Sequence, residues 1–300
     1  MILAGTLAIA MLQAPQHIRA PKGYHLAWSD EFSQDGRPNP SNWVFEQGFV
    51  RNKELQWYQP ENAWIENGKL VIEGRRERIA NPRYEAGSED WRRSREFAEY
   101  SSACIKTVGK RQFQYGRIEV RAKIEPNAGL WPAIWTLGAS RPWPQCGEVD
   151  MLEFYQNTIL ANTAYGTGGG VWNTIKTPFS TFSDKDKNWG EKFHVWRMDW
   201  DENSIKLYLD GQLLNDTDVT KTINPDGFNP FRQPQYILLN LAIGSTGGDP
   251  SKTEFPTRYE VDYVRVFQKD EPPPFYSRRT FFCISSNRIL MLAGAADQRT

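Results

Sequence analysis

The chain has 300 residues, with 36 Lys and Arg balanced by 36 Asp and Glu, so its formal net charge is zero. A neutral chain without a basic stripe argues against nucleic acid as a partner and against binding to a membrane surface. The length allows one main domain with a large core, and the aromatic content of 13% suits a neutral sugar partner as well as that core.

The first segment, residues 1–20, contains an apolar run from Ile2 to Leu12, followed by polar and proline-containing sequence. This order is typical of a signal peptide, although no Lys or Arg precedes the run, and a disordered N-terminus is the alternative. The run is too short to span a bilayer as a helix. We therefore expect a secreted or periplasmic protein whose main domain covers residues 21–269.

Short runs of alternating or β-branched residues follow one another through this domain, separated by Gly, Pro, Asn and Asp. This pattern is typical of an antiparallel all-β sandwich. The dipeptide Asp210-Gly211 predicts a hairpin over 204–214. In chain order, the predicted strands lie in KLVIEG, SACIKTVG, YGRIEVRAKI, GLWPAIWTLG, GEVDMLEF, FHVWRMDWD, SIKLYLDGQLL, YILLNLAIG and YEVDYVRVF. Three segments lack this periodicity and are predicted to be long surface loops: 78–100, 166–190 and 244–256.

The sequence changes character after Phe267, where KDEPPPFY is linker-like. Residues 270–300 continue no sheet pattern, and we assign this C-terminal tail no function. The cysteines, Cys104, Cys146 and Cys283, form no CxxC pair, so neither a zinc site nor a disulfide framework is predicted.

The stretch CGEVDMLEFY carries Glu148, Asp150 and Glu153 among apolar residues. Successive side chains of a strand point to opposite faces, so Glu148 and Asp150 share one face and Glu153 would lie on the other. One extra residue, a β-bulge near Met151 and Leu152, would return Glu153 to the face of the other two acids. We predict this bulge, because three acids on one face suit a chemical role better than a structural one.

The segments GLWPAIWTLG, CGEVDMLEF, LYLDG and DYVRVF, together with LAWSDEF, resemble family 16 of the glycoside hydrolases, specifically the laminarinase-like endo-β-1,3-glucanases. The likeness runs from Leu26 to Phe267. It implies a concanavalin-like jelly roll whose concave face holds a polysaccharide, and catalysis without a cofactor. We therefore expect an endo-acting, retaining hydrolase of β-1,3-glucan (laminarin) or mixed-linkage β-glucan that works as a monomer.

The resemblance also implies roles for the three acids. Glu148 would be the nucleophile that attacks the anomeric carbon, and Glu153 the acid that protonates the departing oxygen and later activates water. Asp150, on the same face between them, would hydrogen-bond the nucleophile and separate the titrations of the two glutamates.

Further residues are candidates for binding the substrate. Trp131 and Trp135 are four apart, hence on one strand face, and would either stack on sugar rings or fill the core. Asn52 matches a family position that contacts the sugar near the cleavage point, and as a lone polar residue it would equally suit a turn cap.

The candidate set departs from the family on the leaving-group side. Laminarinases often carry a His where this chain has Ala164, in NTAYG. Asn162 and Tyr165 are candidates for a substitute contact on the leaving-group side, and Trp172, in GTGGGVWNT, is a candidate for reshaping the cleft.

Many family members also carry a structural calcium away from the cleft. The matching positions here are Glu31 and Gly68, through backbone oxygens, and the carboxylate of Asp262. Hard oxygen ligands suit calcium, but Asp262 would also suit the anchoring of a backbone amide.

Two other functions remain open at the level of sequence. The same fold could cut another polymer, such as a galactan of the agarose or porphyran type, or transfer glycosyl groups to sugars, since loops around the cleft decide the substrate. A non-catalytic, lectin-like module is the alternative from another class, and it would have no use for all three of Glu148, Asp150 and Glu153.

Overall fold

The computed structural model describes residues 18–270. The predicted signal-peptide run, Cys283 and nearly all of the predicted C-terminal tail lie outside the described residues. No helix within 18–270 is long and apolar enough to cross a membrane.

Nearly all of the regular secondary structure in residues 18–270 is β-strand. The strands are β1 Tyr24–Asp30, β2 Val44–Phe45, β3 Gln56–Tyr58, β4 Ala63–Glu66, β5 Lys69–Gly74, β6 Ile79–Ala80, β7 Phe97–Ala98, β8 Tyr100–Ser102, β9 Cys104–Lys106, β10 Gly116–Lys123, β11 Leu130–Gly138, β12 Glu148–Tyr155, β13 Thr158–Tyr165, β14 Val171–Pro178, β15 His194–Trp200, β16 Ser204–Leu209, β17 Gln212–Asp218, β18 Gln235–Ile243 and β19 Thr257–Lys269. The one α-helix is Ser180–Ser183, and 3-10 turns occupy Pro60–Asn62, Trp189–Glu191, Val219–Lys221, Pro230–Arg232 and Ser245–Gly247.

Two large antiparallel sheets form the body of the protein. The first has the order β17-β16-β15-β10-β19-β5-β4, with β1 also paired to β19. The second has the order β14-β13-β12-β11-β18-β9-β2, and it carries the acidic strand β12 near its middle. The all-β jelly-roll sandwich expected from the sequence is confirmed.

Alternation along the strands produces the core between the sheets. In β10, Ile118, Val120 and Ala122 are buried while the residues between them are partly exposed. They belong to one apolar cluster with residues of the second sheet such as Ile134 and Val149. Burying each side chain of this size stabilises the fold by roughly 1.5–3 kcal/mol, which is why the period-two pattern determines the register.

Every predicted strand segment contains a strand, and the predicted hairpin is formed by β16 and β17, with Asp210 and Gly211 both at positive φ in its turn. The prediction of a loop over 166–190 is wrong, because β14 occupies 171–178 and pairs with β13 along eight residues. Most of its side chains are exposed, so its backbone pairing holds it without a buried apolar face to mark it in the sequence. The segment 78–100 contains the short strands β6 and β7, whereas 244–256 contains no strand.

Candidate active site

The predicted bulge lies in β12. Asp150 pairs with Asn162 of β13, but Glu153 pairs with Leu160, so three steps along β12 match two along β13. Met151 and Leu152, the residues between, are both fully buried in the core. The extra residue therefore brings Glu153 to the face of Asp150, as the spacing of the acids required.

The bulge also aligns the three acids with residues on the two outer strands. Each acid of β12 pairs with a β13 residue, which in turn pairs with a β14 residue on the same face of the sheet. The three rows are Glu148–Ala164–Trp172, Asp150–Asn162–Thr174 and Glu153–Leu160–Lys176.

A cleft of about 580 Å³ opens over these rows. It is lined by all three acids and by five of the six predicted substrate-binding residues, namely Asn52, Trp131, Trp135, Asn162 and Trp172. The cleft walls combine eleven polar or charged residues with five aromatic ones, which suits a sugar polymer with hydroxyl edges and apolar ring faces.

Tyr165 does not line the cleft, so its prediction as a leaving-side contact is wrong. Its hydroxyl donates to the backbone oxygen of Lys221 at 3.3 Å, and its ring meets Phe231 edge-on. Asn162 and Tyr165 are three residues apart on a regular strand, so their side chains point to opposite faces. Ala164, by contrast, is fully buried in the row of the nucleophile candidate Glu148.

Both oxygens of Glu153 accept hydrogen bonds from neutral donors. Trp131 Nε1 donates to Oε1 at 2.8 Å, and Asn162 Nδ2 donates to Oε2 at 2.7 Å. Burial, followed by the charge of Glu148, raises the pKa of Glu153 to about 8 even though both donors favour its ionised form. Glu153 therefore holds a proton near neutral pH, as a general acid must.

Glu148 has a different environment. The indole Nε1 of Trp143 donates to its Oε2, Asp150 hydrogen-bonds it, and the Arg51 guanidinium adds a favourable charge. Burial still raises the pKa of Glu148 above its ordinary value, but these three partners all oppose that rise. The ionised form is thus better supported at Glu148 than at Glu153.

Asp150 is the most deeply buried of the three acids and is only 2% exposed. Burial, and then the charges of Glu153 and Glu148, raise its pKa well above the ordinary value, while a hydrogen bond of 3.0 Å from Asn162 Nδ2 opposes the rise. A protonated Asp150 can donate to Glu148, which separates the titrations of the two glutamates.

The two tryptophans of β11 have separate roles although both contact the cleft. Trp131 is partly exposed and meets Tyr155 edge-on, with ring centroids 5.3 Å apart. Trp135 is only 7% exposed, donates from Nε1 to Asn240 at 2.7 Å and lies 5.1 Å beneath the guanidinium of Arg51. Trp131 is thus available to a sugar ring, whereas Trp135 mainly builds the floor.

A cluster of charged and polar side chains lies beside Trp135. Arg51 and Lys106 both form ion pairs with Glu46, so the charge of Arg51 is compensated. Asn52, at positive φ, donates to Glu54 at 3.3 Å, and burial raises the pKa of Glu54. Asn52 therefore reaches the cleft from a turn and is also held by a neighbouring side chain.

Strand pairing brings the three predicted calcium positions close together, but the Asp262 carboxylate already has a hydrogen-bond partner. β1 pairs with the part of β19 that follows Asp262, and β5 pairs with the part that precedes it. The backbone at Glu31, after β1, and at Gly68, before β5, therefore lies next to Asp262. The Asp262 carboxylate accepts a hydrogen bond from Arg121 Nη1 at 2.6 Å. Within residues 18–270, no group of three or more His, Cys, Asp or Glu side chains could hold a metal. These residues as placed fit a cation only if Arg121 releases Asp262.

Sequence reasoning missed several cleft residues. Trp143 belongs to a turn without periodicity, so no alternation pattern in the sequence predicts its hydrogen bond to Glu148. Lys176 and Thr174 belong to the segment predicted to be a loop. The alternation of Trp172, Thr174 and Lys176 is the one signal that would have found the last two.

Comparison with known proteins gives a consistent result. Residues 54–265 match the model of the glycosyl hydrolases family 16. A beta-glucanase of Rhodothermus marinus is 31% identical, over 89% of this chain and 93% of the relative. The catalytic domain of an endo-1,3-beta-glucanase (laminarinase) from Thermotoga petrophila RKU-1 superposes with a TM-score of 0.68 at 32% identity, covering 83% of this chain and 99% of that one. A structure from work on endo-acting O-glycanases, which members of the human gut microbiota express to initiate mucin breakdown, gives a TM-score of 0.76 at 33% identity over 84% and 93%.

Proposed function

The chain belongs to family 16 of the glycosyl hydrolases, and from this premise we propose that it cleaves internal bonds of β-1,3-glucan or mixed β-1,3/1,4-glucan by double displacement. The observation that carries the mechanism is the bulge in β12, which places Glu148, Asp150 and Glu153 in one cleft. The β-glucanase and laminarinase relatives support the substrate class. A non-catalytic, lectin-like module would have no use for Glu148, Asp150 and Glu153 together, so their presence argues against that alternative.

In the first step, the ionised carboxylate of Glu148 attacks the anomeric carbon and forms a glycosyl ester with the enzyme. The bond from that carbon to the glycosidic oxygen breaks as Glu153 gives its proton to the oxygen. The pKa of Glu153, raised by burial to about 8, keeps this proton available near neutral pH. The leaving fragment departs with a new hydroxyl at its non-reducing end.

In the second step, Glu153, now ionised, accepts a proton from water while the water oxygen attacks the anomeric carbon. The ester breaks, Glu148 leaves as a carboxylate and the product keeps the β configuration. Trp131 and Asn162 donate to Glu153 and stabilise the ionised base between the two steps. Asp150, when protonated, donates to Glu148 and stabilises it as the leaving carboxylate.

The decisive experiment is reducing-end release from a panel of purified polysaccharides: laminarin, mixed-linkage glucan, agarose, porphyran and desialylated mucin O-glycans. Short oligosaccharides from laminarin or mixed-linkage glucan, absent with Glu148→Gln, support the proposal. If products appear only from a galactose-containing polymer, the proposed substrate is wrong, while the proposed roles of the three acids stand. Products longer than the starting oligosaccharide would reveal transglycosylation.

A second candidate function is the internal cleavage of O-glycans. It is favoured by the likeness to the O-glycanase structure, which has the highest TM-score of the structures compared above. The O-glycan arm of the panel tests this candidate directly.

We further propose that the enzyme is secreted or periplasmic and monomeric, and that it binds a structural calcium at Glu31, Gly68 and Asp262. The ion would stabilise the edge of β19 and take no part in the reaction. A melting temperature that falls on treatment with EDTA and recovers with added calcium supports the site. An unchanged melting temperature would indicate that the Arg121–Asp262 pair is the lasting arrangement.

A further inference from the structure

One wall of the cleft is the edge strand β14. Trp172, Thr174 and Lys176 alternate along it and all line the cleft. Asn173, between them, points the other way, donating to Asn215 at 3.0 Å and Thr217 at 2.9 Å. The orientation of the wall is therefore fixed by a polar anchor on its opposite face.

The rows across the sheet give each wall residue a position relative to the reaction. Trp172 lies in the row of Glu148. Lys176 lies in the row of Glu153, two strands or roughly 10 Å away in backbone terms. A lysine side chain can extend across Leu160, the residue between them, toward the sugar whose oxygen Glu153 protonates.

Within residues 18–270, the charge of Lys176 has no side-chain partner. Arg51, the other cation that lines the cleft, is paired with Glu46. Lys176 forms no ion pair within the described chain, and it is not among the groups that shift the pKa of Glu153. Its ammonium group is thus left to interact with whatever occupies the cleft.

The same end of the cleft offers an aromatic surface. Trp131 and Tyr155 meet edge-on at 5.3 Å, and both line the cleft beside Glu153. Burial raises the pKa of Tyr155 to about 12, so its hydroxyl is a neutral hydrogen-bond partner. An aromatic surface with a cation beside it suits a sugar that carries a negative group better than an unsubstituted one.

From this arrangement we propose that the leaving-group side of the cleft binds an anionic substituent, a sulfate ester or a carboxylate, on the departing sugar through Lys176. The inference rests on the proposed function and refines it, since the natural polymer would then be a charged β-glycan and not a neutral one. Lys176 is a specificity-determining residue in this account and takes no part in bond cleavage.

The test compares three forms of one polymer at low ionic strength: laminarin, laminarin carboxymethylated to a low degree, and laminarin sulfated to the same degree. The enzymes are the full chain, Lys176→Gln and Lys176→Arg. Lys185→Gln, which removes an exposed lysine outside the cleft, is the matched control for loss of charge. The two substituted polymers distinguish a carboxylate from a sulfate as the preferred group.

We expect Lys176→Gln to lower kcat/KM on the preferred substituted polymer roughly tenfold and to change it less than about twofold on laminarin. Lys176→Arg should keep the discrimination, Lys185→Gln should behave as the wild type, and added salt should reduce the difference. Mass spectrometry should find the substituent on the new non-reducing end of wild-type products and much less often in those of Lys176→Gln.

Equal effects of Lys176→Gln on neutral and substituted laminarin, or substituents absent from the new non-reducing ends, would overturn the inference. Failure of the proposed function looks different, because no form of laminarin is then hydrolysed by any variant. In that case the same variants are compared on the polymer cleaved in the panel, in sulfated and desulfated form. Loss of discrimination in Lys176→Gln supports the inference there, and its retention overturns it.

Discussion

Replacing Glu153 by Gln should stabilise the protein at alkaline pH while abolishing hydrolysis. The folded protein holds the pKa of Glu153 at about 8 against an ordinary value of 4.5. The folded state therefore binds this proton more tightly than the unfolded state, so stability falls as pH rises from about 4.5 to about 8. Gln has nearly the same shape as Glu and does not ionise in this pH range. The side-chain amide of Asn162 can rotate so that its unpartnered Oδ1 accepts a hydrogen bond from the new amide.

The size of the effect follows from the shift. Each pKa unit corresponds to about 1.4 kcal/mol, so the titration of Glu153 lowers the stability of the folded state by roughly 4 kcal/mol between pH 4.5 and pH 8. Glu148 and Asp150 titrate together with Glu153, which reduces the gain from one substitution to roughly 2–4 kcal/mol. For a domain of this size, that corresponds to a rise in melting temperature of roughly 4–8 °C at pH 8 and almost none at pH 4.5.

Scanning calorimetry of both proteins at pH 4.5, 6.5 and 8 measures this difference. Glu202→Gln, at an exposed site outside the cleft, is the control for loss of a carboxyl group. A melting temperature that rises equally at all three pH values, or not at all at pH 8, would refute the reasoning, because the gain must grow as Glu153 ionises.

The remaining predictions concern activity. The kcat/KM of the wild type should decline as pH rises through about 8, where Glu153 loses its proton; a flat profile to pH 9.5 would contradict the acid assignment. Asn162→Leu removes a donor to two carboxyls, so the alkaline limb should move to higher pH and kcat should fall roughly tenfold or more; an unmoved limb would show that the amide acts only in packing. Trp131→Phe should lower kcat through the lost hydrogen bond to Glu153, whereas Tyr165→Phe should stay within about twofold, and the reverse order would mean that the cleft is misassigned. Azide should restore turnover of an activated substrate by Glu153→Ala with a β product, but an α product would exclude a covalent intermediate on Glu148.

The sequence predicts the fold and the acids because both depend on side-chain alternation. With this spacing, Glu148, Asp150 and Glu153 can share one face of the strand only if the strand contains a bulge. Met151 and Leu152 are both buried at that bulge. These inferences need no knowledge of distant segments, since a strand with one face in the core fixes where every side chain points.

The missed residues depend on contacts that alternation does not encode. Trp143 reaches Glu148 from a turn, and no local pattern predicts that approach. β14 is an edge strand with no buried apolar face, so no run of core residues marks it as a strand that carries Trp172 and Lys176. Tyr165 was misplaced for the opposite reason, because alternation from Asn162 already excludes it from the cleft.

The position of β14 also bears on how such an enzyme can evolve. Its cleft-facing residues contribute almost nothing to the core, since the strand is held by backbone pairing with β13 and by the anchor at Asn173. Substitutions at Thr174 and Lys176 therefore carry little risk of unfolding, whereas Trp172 also packs against Trp143, the residue that donates to Glu148. Mutations confined to β14 can therefore change which polymer the enzyme binds, while selection on β12 preserves the catalytic acids.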